Sequence, residues 1–152
     1  MHNEMTDELS GNEYEVNPEE KLLALFAHLS IFYGAVLIPL IFWIINTNKS
    51  RFISFHSLQA LFLHLAYFIF IILIVIFFSS VLIVNASLLQ GSGTREMPPS
   101  IVILTVVFIS LIFLSLFAVS IYSVYASIKS YKGEIVRYPI IGNIIYRKIY
   151  RT

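Results

Sequence analysis

Three stretches of this chain contain no Asp, Glu, Lys or Arg: residues 22–48, 52–94 and 97–128, which are 27, 43 and 32 residues long. A water-soluble domain of 152 residues must cover itself with polar side chains, and this one has too few. Charged residues are 12% of the chain and hydrophobic ones 58%, where ordinary globular proteins carry roughly 25% charged residues. The pattern implies an integral membrane protein. Cysteine is absent, which excludes disulfides, thiolate catalysis and Cys-based zinc or iron–sulfur sites.

The order of segments predicts an all-α membrane bundle of three transmembrane helices followed by an amphipathic interfacial helix. Residues 1–16 are polar and acidic without apolar periodicity, and they read as a disordered tail. They lack the basic start of a signal peptide. Residues 17–131 form the membrane domain, opening on Asn17-Pro18-Glu19-Glu20, the pattern of an N-cap, a first-turn proline and a capping-box glutamate. The expected spans are 22–45, 57–84 and 100–126. The first, at 1.5 Å per residue, is about 36 Å long, enough for a hydrocarbon core of about 30 Å. Pro39 lies inside it and would remove the hydrogen bond to the Ala35 carbonyl, so a kink is expected. Ser30 and Gly34 form a small-xxx-small pair suited to close helix packing. Residues 46–51 are a polar hinge, and 85–94 (NASLLQGSGT) read as a loop.

Residues 132–152 form a basic amphipathic segment. Gly133 can end the third helix and Pro139 stops any continuation. Beyond it Ile140, Ile141, Ile144, Ile145 and Ile149 share one side of a helix, with Asn143, Arg147 and Arg151 opposite and Lys148 able to snorkel. The expectation is a helix lying on the membrane, with Arg137, Tyr138, Arg147, Lys148 and Arg151 at the surface among anionic headgroups. With three spans, Lys21 and Arg95 fall on one side and the other eight Lys and Arg residues on the other. The positive-inside rule then places the C-terminus in the cytoplasm and the N-terminus outside the plasma membrane.

Chemistry has little to work with at depth. Without charged residues in the spans, ion-coupled transport loses its usual relays. The polar residues there are His28, His56, Gln59 and His64. Three or four converging ligands make a metal site, and no carboxylate or cysteine joins these histidines, so an interhelical hydrogen-bond network is expected and no metal or cofactor. G-x-S-x-G, P-loop and dinucleotide motifs are missing, so no enzymatic activity is expected. The basic tail adjoins a span and suits lipid rather than nucleic acid.

Three groups of residues carry a resemblance. They are Ala27-His28-Leu29-Ser30 with Pro39-Leu40-Ile41 and Trp43; Phe52, Phe55-His56 and Gln59-Ala60-Leu61; and Gly133-Glu134 with Arg137-Tyr138-Pro139. Their order and spacing, over about 22–141, resembles a family of small bacterial membrane proteins of unknown function, distantly similar to the twenty-kilodalton Tic component of chloroplast protein import. Phe62 and His64 stand where members of that family commonly have Asn and Gln. The resemblance implies a helical membrane protein without assigned catalytic residues. The function expected is that of a non-enzymatic scaffold or accessory subunit that contacts other membrane proteins or itself. The alternative is an oligomeric channel or a translocation component.

Overall fold

The computed structural model describes residues 15–92, 98–139 and 141–150. Helix α1 (Pro18–Leu29) leads through a 3-10 turn (Ser30–Phe32) to α2 (Leu37–Asn46); α3 (Arg51–Ser92), α4 (Pro99–Tyr131) and α5 (Ile141–Tyr150) follow. There are no strands among the described residues.

Helix α1 begins as its sequence dictates. Asn17 Oδ1 accepts from the Glu20 backbone N–H at 2.9 Å, and the Glu20 carboxylate accepts from the Asn17 N–H at 3.1 Å, so two orphan donors of the first turn are satisfied. The helix does not run on through Pro39. It stops at Leu29, and the single kinked span expected over 22–45 is two helices separated by a turn. Ser30 organises that turn. Its carbonyl accepts from the backbone N–H groups of Tyr33, Gly34 and Ala35, and its hydroxyl lies 2.8 Å from the Ala27 carbonyl and 3.2 Å from that of Ala35. Ala35 takes a left-handed φ of +37°, which costs a residue with a Cβ about 1–2 kcal/mol. Pro39 is the third residue of α2. First-turn N–H groups have no intrahelical acceptor, so a proline there sacrifices no hydrogen bond.

Partner residues give the directions. His28 of α1 meets His56, eight residues below His64, whose Nδ1–H donates to the Ala35 carbonyl at 2.9 Å. Returning along α2, the Asn46 carbonyl accepts from the Ser54 hydroxyl at 2.8 Å. Helix α1 therefore rises beside α3, the chain turns at Ser30–Val36, and α2 descends again. Both ends of this helical hairpin lie at one end of α3. At the same end Pro18, Lys21 and Leu22 share a cavity of about 440 Å³ with Tyr131, the last residue of α4.

Below His64 the structure is closely packed, with residues 52–60 of α3 all buried. Above it the two long helices are bare. Phe68, Leu73, Ile76 and Phe77 on α3, and Ile103, Phe113, Leu114 and Phe117 on α4, are all exposed. The pair touch through Phe78 and Phe108, stacked at 4.0 Å, and through the hydroxyls of Tyr67 and Ser115, 3.4 Å apart. Helix α3 also continues through 85–92, where a loop was expected. Asn85 Nδ2 and Ser87 Oγ donate to the carbonyls of Val81 and Ile83, four residues back, and side chains bonded this way need not interrupt a helix.

The break gives a prediction. In a continuous kinked helix, Pro39→Ala would restore a hydrogen bond and add about 3 kcal/mol of stability. In the hairpin it removes only packing from a buried first-turn position, so chemical denaturation in detergent should show no gain, or a loss of about 1 kcal/mol. A gain of several kcal/mol would contradict the hairpin.

Candidate functional site

The packed end of the molecule has a polar centre made from α1, α3 and the segment after α4. Helix α4 ends where expected: Gly133 adopts φ +85°, and its N–H and that of Glu134 bond the carbonyls of Ser130 and Lys129. This left-handed cap turns the chain across the base. Gln59, fully buried on α3, then holds the chain in place. Its Nε2 donates to the Val136 carbonyl at 2.8 Å, and its Oε1 accepts from the Tyr138 N–H at 2.8 Å. One side-chain amide thus satisfies both backbone groups that an adjacent strand would otherwise serve.

Tyr138 is the second connection. Sequence reasoning places it at the membrane surface, but it is 2% exposed, its ring 5.0 Å from Tyr122 and its hydroxyl 2.7 Å from His28 Nδ1. A tyrosine between Arg137 and Pro139 reads as interfacial, yet the Gln59 clip draws the backbone inward and carries the ring with it. Burial, and then Tyr122, push the ionisation of this phenol well above its ordinary range, so it remains an O–H group. His28 Nε2 lies 3.0 Å from His56 Nδ1. The direction that gives the phenol an acceptor runs from Tyr138 O–H to His28 Nδ1, then from His28 Nε2–H to His56 Nδ1. His56 Nε2–H then faces the backbone of Glu134 without closing a bond of ordinary geometry. Phe52 and Phe55 pack on the His56 ring at 4.5 and 5.3 Å.

The four polar residues singled out from sequence are all buried. His28, His56 and Gln59 gather around Tyr138, while His64 sits apart on α3, bonded to the Ala35 carbonyl of the hairpin turn. Ser30 and Gly34 serve the turn rather than a contact between spans: a Cβ at Gly34 would strike the side chain of Ile38, within the hairpin itself. Pro39 is buried in the first turn of α2.

The C-terminal helix also differs from expectation. Its isoleucine face is turned to protein. Ile145 is buried with Phe55 and Leu58, and Trp43, Ile141 and Ile149 pack around them; Ile144 is exposed. Gly142 permits the approach, since a Cβ there would stand 2.6 Å from Gln59 Oε1 and 2.8 Å from the Arg137 backbone. The Arg137 guanidinium lies 3.7 Å above the Tyr146 ring, while Arg147 and Lys148 are exposed. Ile140 and Arg151 lie outside the described residues. Sequence reasoning missed Gly142 and the clip from Gln59 to 136–138; the G-E-x-x-R-Y-P block was the available signal.

This arrangement joins helices. Among the described residues no carboxylate joins the hydrogen-bond chain of Tyr138, His28 and His56, and no group of three or more His, Asp or Glu has the geometry of a metal site. Removing Gln59 would orphan two buried backbone groups at about 1–3 kcal/mol each. Gln59→Leu should therefore lower stability in detergent by about 2–6 kcal/mol and expose the chain after Gly133 to protease. Tyr138→Phe, which loses one hydrogen bond, should cost about 1 kcal/mol, and a chelator should change neither variant. Wild-type stability in Gln59→Leu would refute the clip.

Neither a curated protein nor a solved structure matches the chain, and no similarity to the plastid import component is shown. Residues 19–145 match a family description, and that match takes in α1 through α4, the Gln59 clip and Tyr138, together with the first half of α5. The chain belongs to the magnetosome magnetite crystal formation (MamF/MmsF) protein family.

Proposed function

We propose that this chain is a non-enzymatic integral membrane protein that serves magnetite-crystal formation as a scaffold or accessory subunit of the magnetosome membrane. The observation that carries the reading is the bare apolar surface of α3 and α4. In the most apolar window of Arg51–Ser87 none of the residues is buried, and in that of Pro99–Tyr131 only 6% are. Such helices, about 55 and 50 Å long at 1.5 Å per residue, reach across a hydrocarbon core of about 30 Å. They also satisfy their own backbone hydrogen bonds, as lipid requires. The family description names crystal formation and no catalysis. A channel finds less support: Tyr67 and Ser115 bond each other, and Ser80, Ser87 and Ser110 bond back to their own helices.

The reading includes a topology. Two helices span, and the α1–α2 hairpin enters and leaves from one side. Its exposed residues Phe32, Leu37, Ile41, Ile44 and Ile45 face lipid. The N-terminus then shares a side with the hinge at 46–51 and the C-terminus, which revises the outside location expected from three spans. Nine of the ten Lys and Arg residues fall on that side and Arg95 alone on the other, so the packed end faces the cytoplasm.

Two results are expected. Deleting the chain from the organism that carries it should alter the size or shape of magnetite crystals in electron micrographs, and crystals indistinguishable from wild type would contradict the function. In spheroplasts of an expression host, an impermeant thiol reagent should label Ser92→Cys but neither Ser10→Cys nor Thr152→Cys. Labelling of Ser10→Cys together with Ser92→Cys would restore the three-span topology.

A further inference from the structure

The hairpin and the C-terminal helix enclose a recess of about 280 Å³ at the foot of α3, lined by Trp43 and Thr47 from α2, Arg51, Ser54 and Leu58 from α3, and Lys148 and Ile149 from α5. We propose that it binds the headgroup of one anionic phospholipid. The proposal rests on the membrane reading above and goes beyond it, from a general attraction of basic residues to a single built site.

Arg51, Ser54 and Leu58 lie at i, i+3 and i+7 on α3, so they line one face in order from charge to apolar floor. Arg51 and Lys148, from separate helices, supply two exposed cations at the mouth. Among the described residues no carboxylate lines the recess. Arg51 is also the first residue of α3, whose N-terminus adds its own positive end of the helix dipole. The Thr47 hydroxyl, on an exposed residue, can donate to a phosphate oxygen. Buried Ser54 donates to the Asn46 carbonyl and leaves its oxygen as an acceptor for a glycerol hydroxyl.

The other half of the lining is apolar. Trp43 packs against the Phe55–Leu58–Ile145 cluster and borders the recess, as an amphipathic ring does at headgroup level. Its neighbours Ile44 and Ile45 are more than half exposed, giving acyl chains an apolar surface on which to continue. A free phosphate would use the cations and leave the recess faces of Trp43, Leu58 and Ile149 uncovered. The volume suits a headgroup and its glycerol rather than a whole lipid.

Native mass spectrometry of the full chain in non-ionic detergent tests this, with phosphatidylglycerol and phosphatidylcholine offered as competitors. The wild type should retain one phosphatidylglycerol in preference to phosphatidylcholine. The double variant Arg51→Gln/Lys148→Gln, which removes both cations at exposed positions, should bind it on the order of tenfold more weakly while keeping the helical circular dichroism of the wild type. Arg147→Gln, outside the recess, should match wild type. Equal retention of the two lipids, or an equal loss in Arg147→Gln, would overturn the site. So would displacement of the lipid by millimolar inorganic phosphate, which would identify a free-anion site. Carbonate extraction separates the two proposals. A chain washed off membranes fails the membrane reading and this site with it, whereas one that stays without preferring phosphatidylglycerol fails the site alone.

Discussion

The carbonyl of Ala35 sits where backbone turns back inside an otherwise apolar segment. A backbone carbonyl in apolar surroundings is costly unless protein groups satisfy it. Two side chains meet that condition: the Ser30 hydroxyl from within the turn and His64 Nδ1–H from α3. With the carbonyl satisfied, the chain can leave the helix at Leu29, pass through a left-handed residue and return as α2. The remaining architecture follows, since α1 and α2 both reach the foot of α3 and form a packed end there.

That packed end is held by polar bonds over long sequence separations. Gln59 reaches 77 and 79 residues along the chain to Val136 and Tyr138, and Tyr138 reaches 110 back to His28. Interhelical hydrogen bonds in membranes average about 0.6 kcal/mol and reach about 2, so no single one fixes the structure. Their effect is geometric. They place the segment after Gly133 across the base, and Gly142 then lets α5 close against α3 beside Trp43. The exposed ion pair of Lys129 and Glu134, at 2.7 Å, adds little by comparison, because solvent screens such pairs.

Much of this was legible in the sequence, for reasons that particular residues show. Asn17 and Glu20 cap α1, and Gly133 ends α4, because those signals are local. The buried positions of His28, His56, Gln59 and His64 follow from their isolation in apolar surroundings. The hairpin was not legible. Hydropathy measures how apolar a segment is, and a segment that turns back on itself is as apolar as one that runs straight. Pro39 drew attention to the wrong place, since a proline that would kink a helix interior is harmless in a first turn, and the break lay at Ser30. Tyr138 was misplaced because its neighbours are polar, while the residue that buries it, Gln59, is 79 positions away. The isoleucine stripe of α5 was visible, but periodicity cannot say whether lipid or Phe55 and Leu58 will cover it.

The central claim is that the first apolar segment turns back, so that its start lies beside the end of α4. Leu22 and Tyr131 line one cavity there, and a segment that crossed the bilayer would hold them about 30 Å apart. The chain has no cysteine of its own, so an engineered pair reports only on itself. The measurement is oxidative cross-linking of Leu22→Cys/Tyr131→Cys in native membranes, read as an intramolecular mobility shift reversed by reductant. The hairpin predicts efficient cross-linking in the double variant and none in either single variant. A double variant that remains uncross-linked while its thiols still react with maleimide would contradict the account.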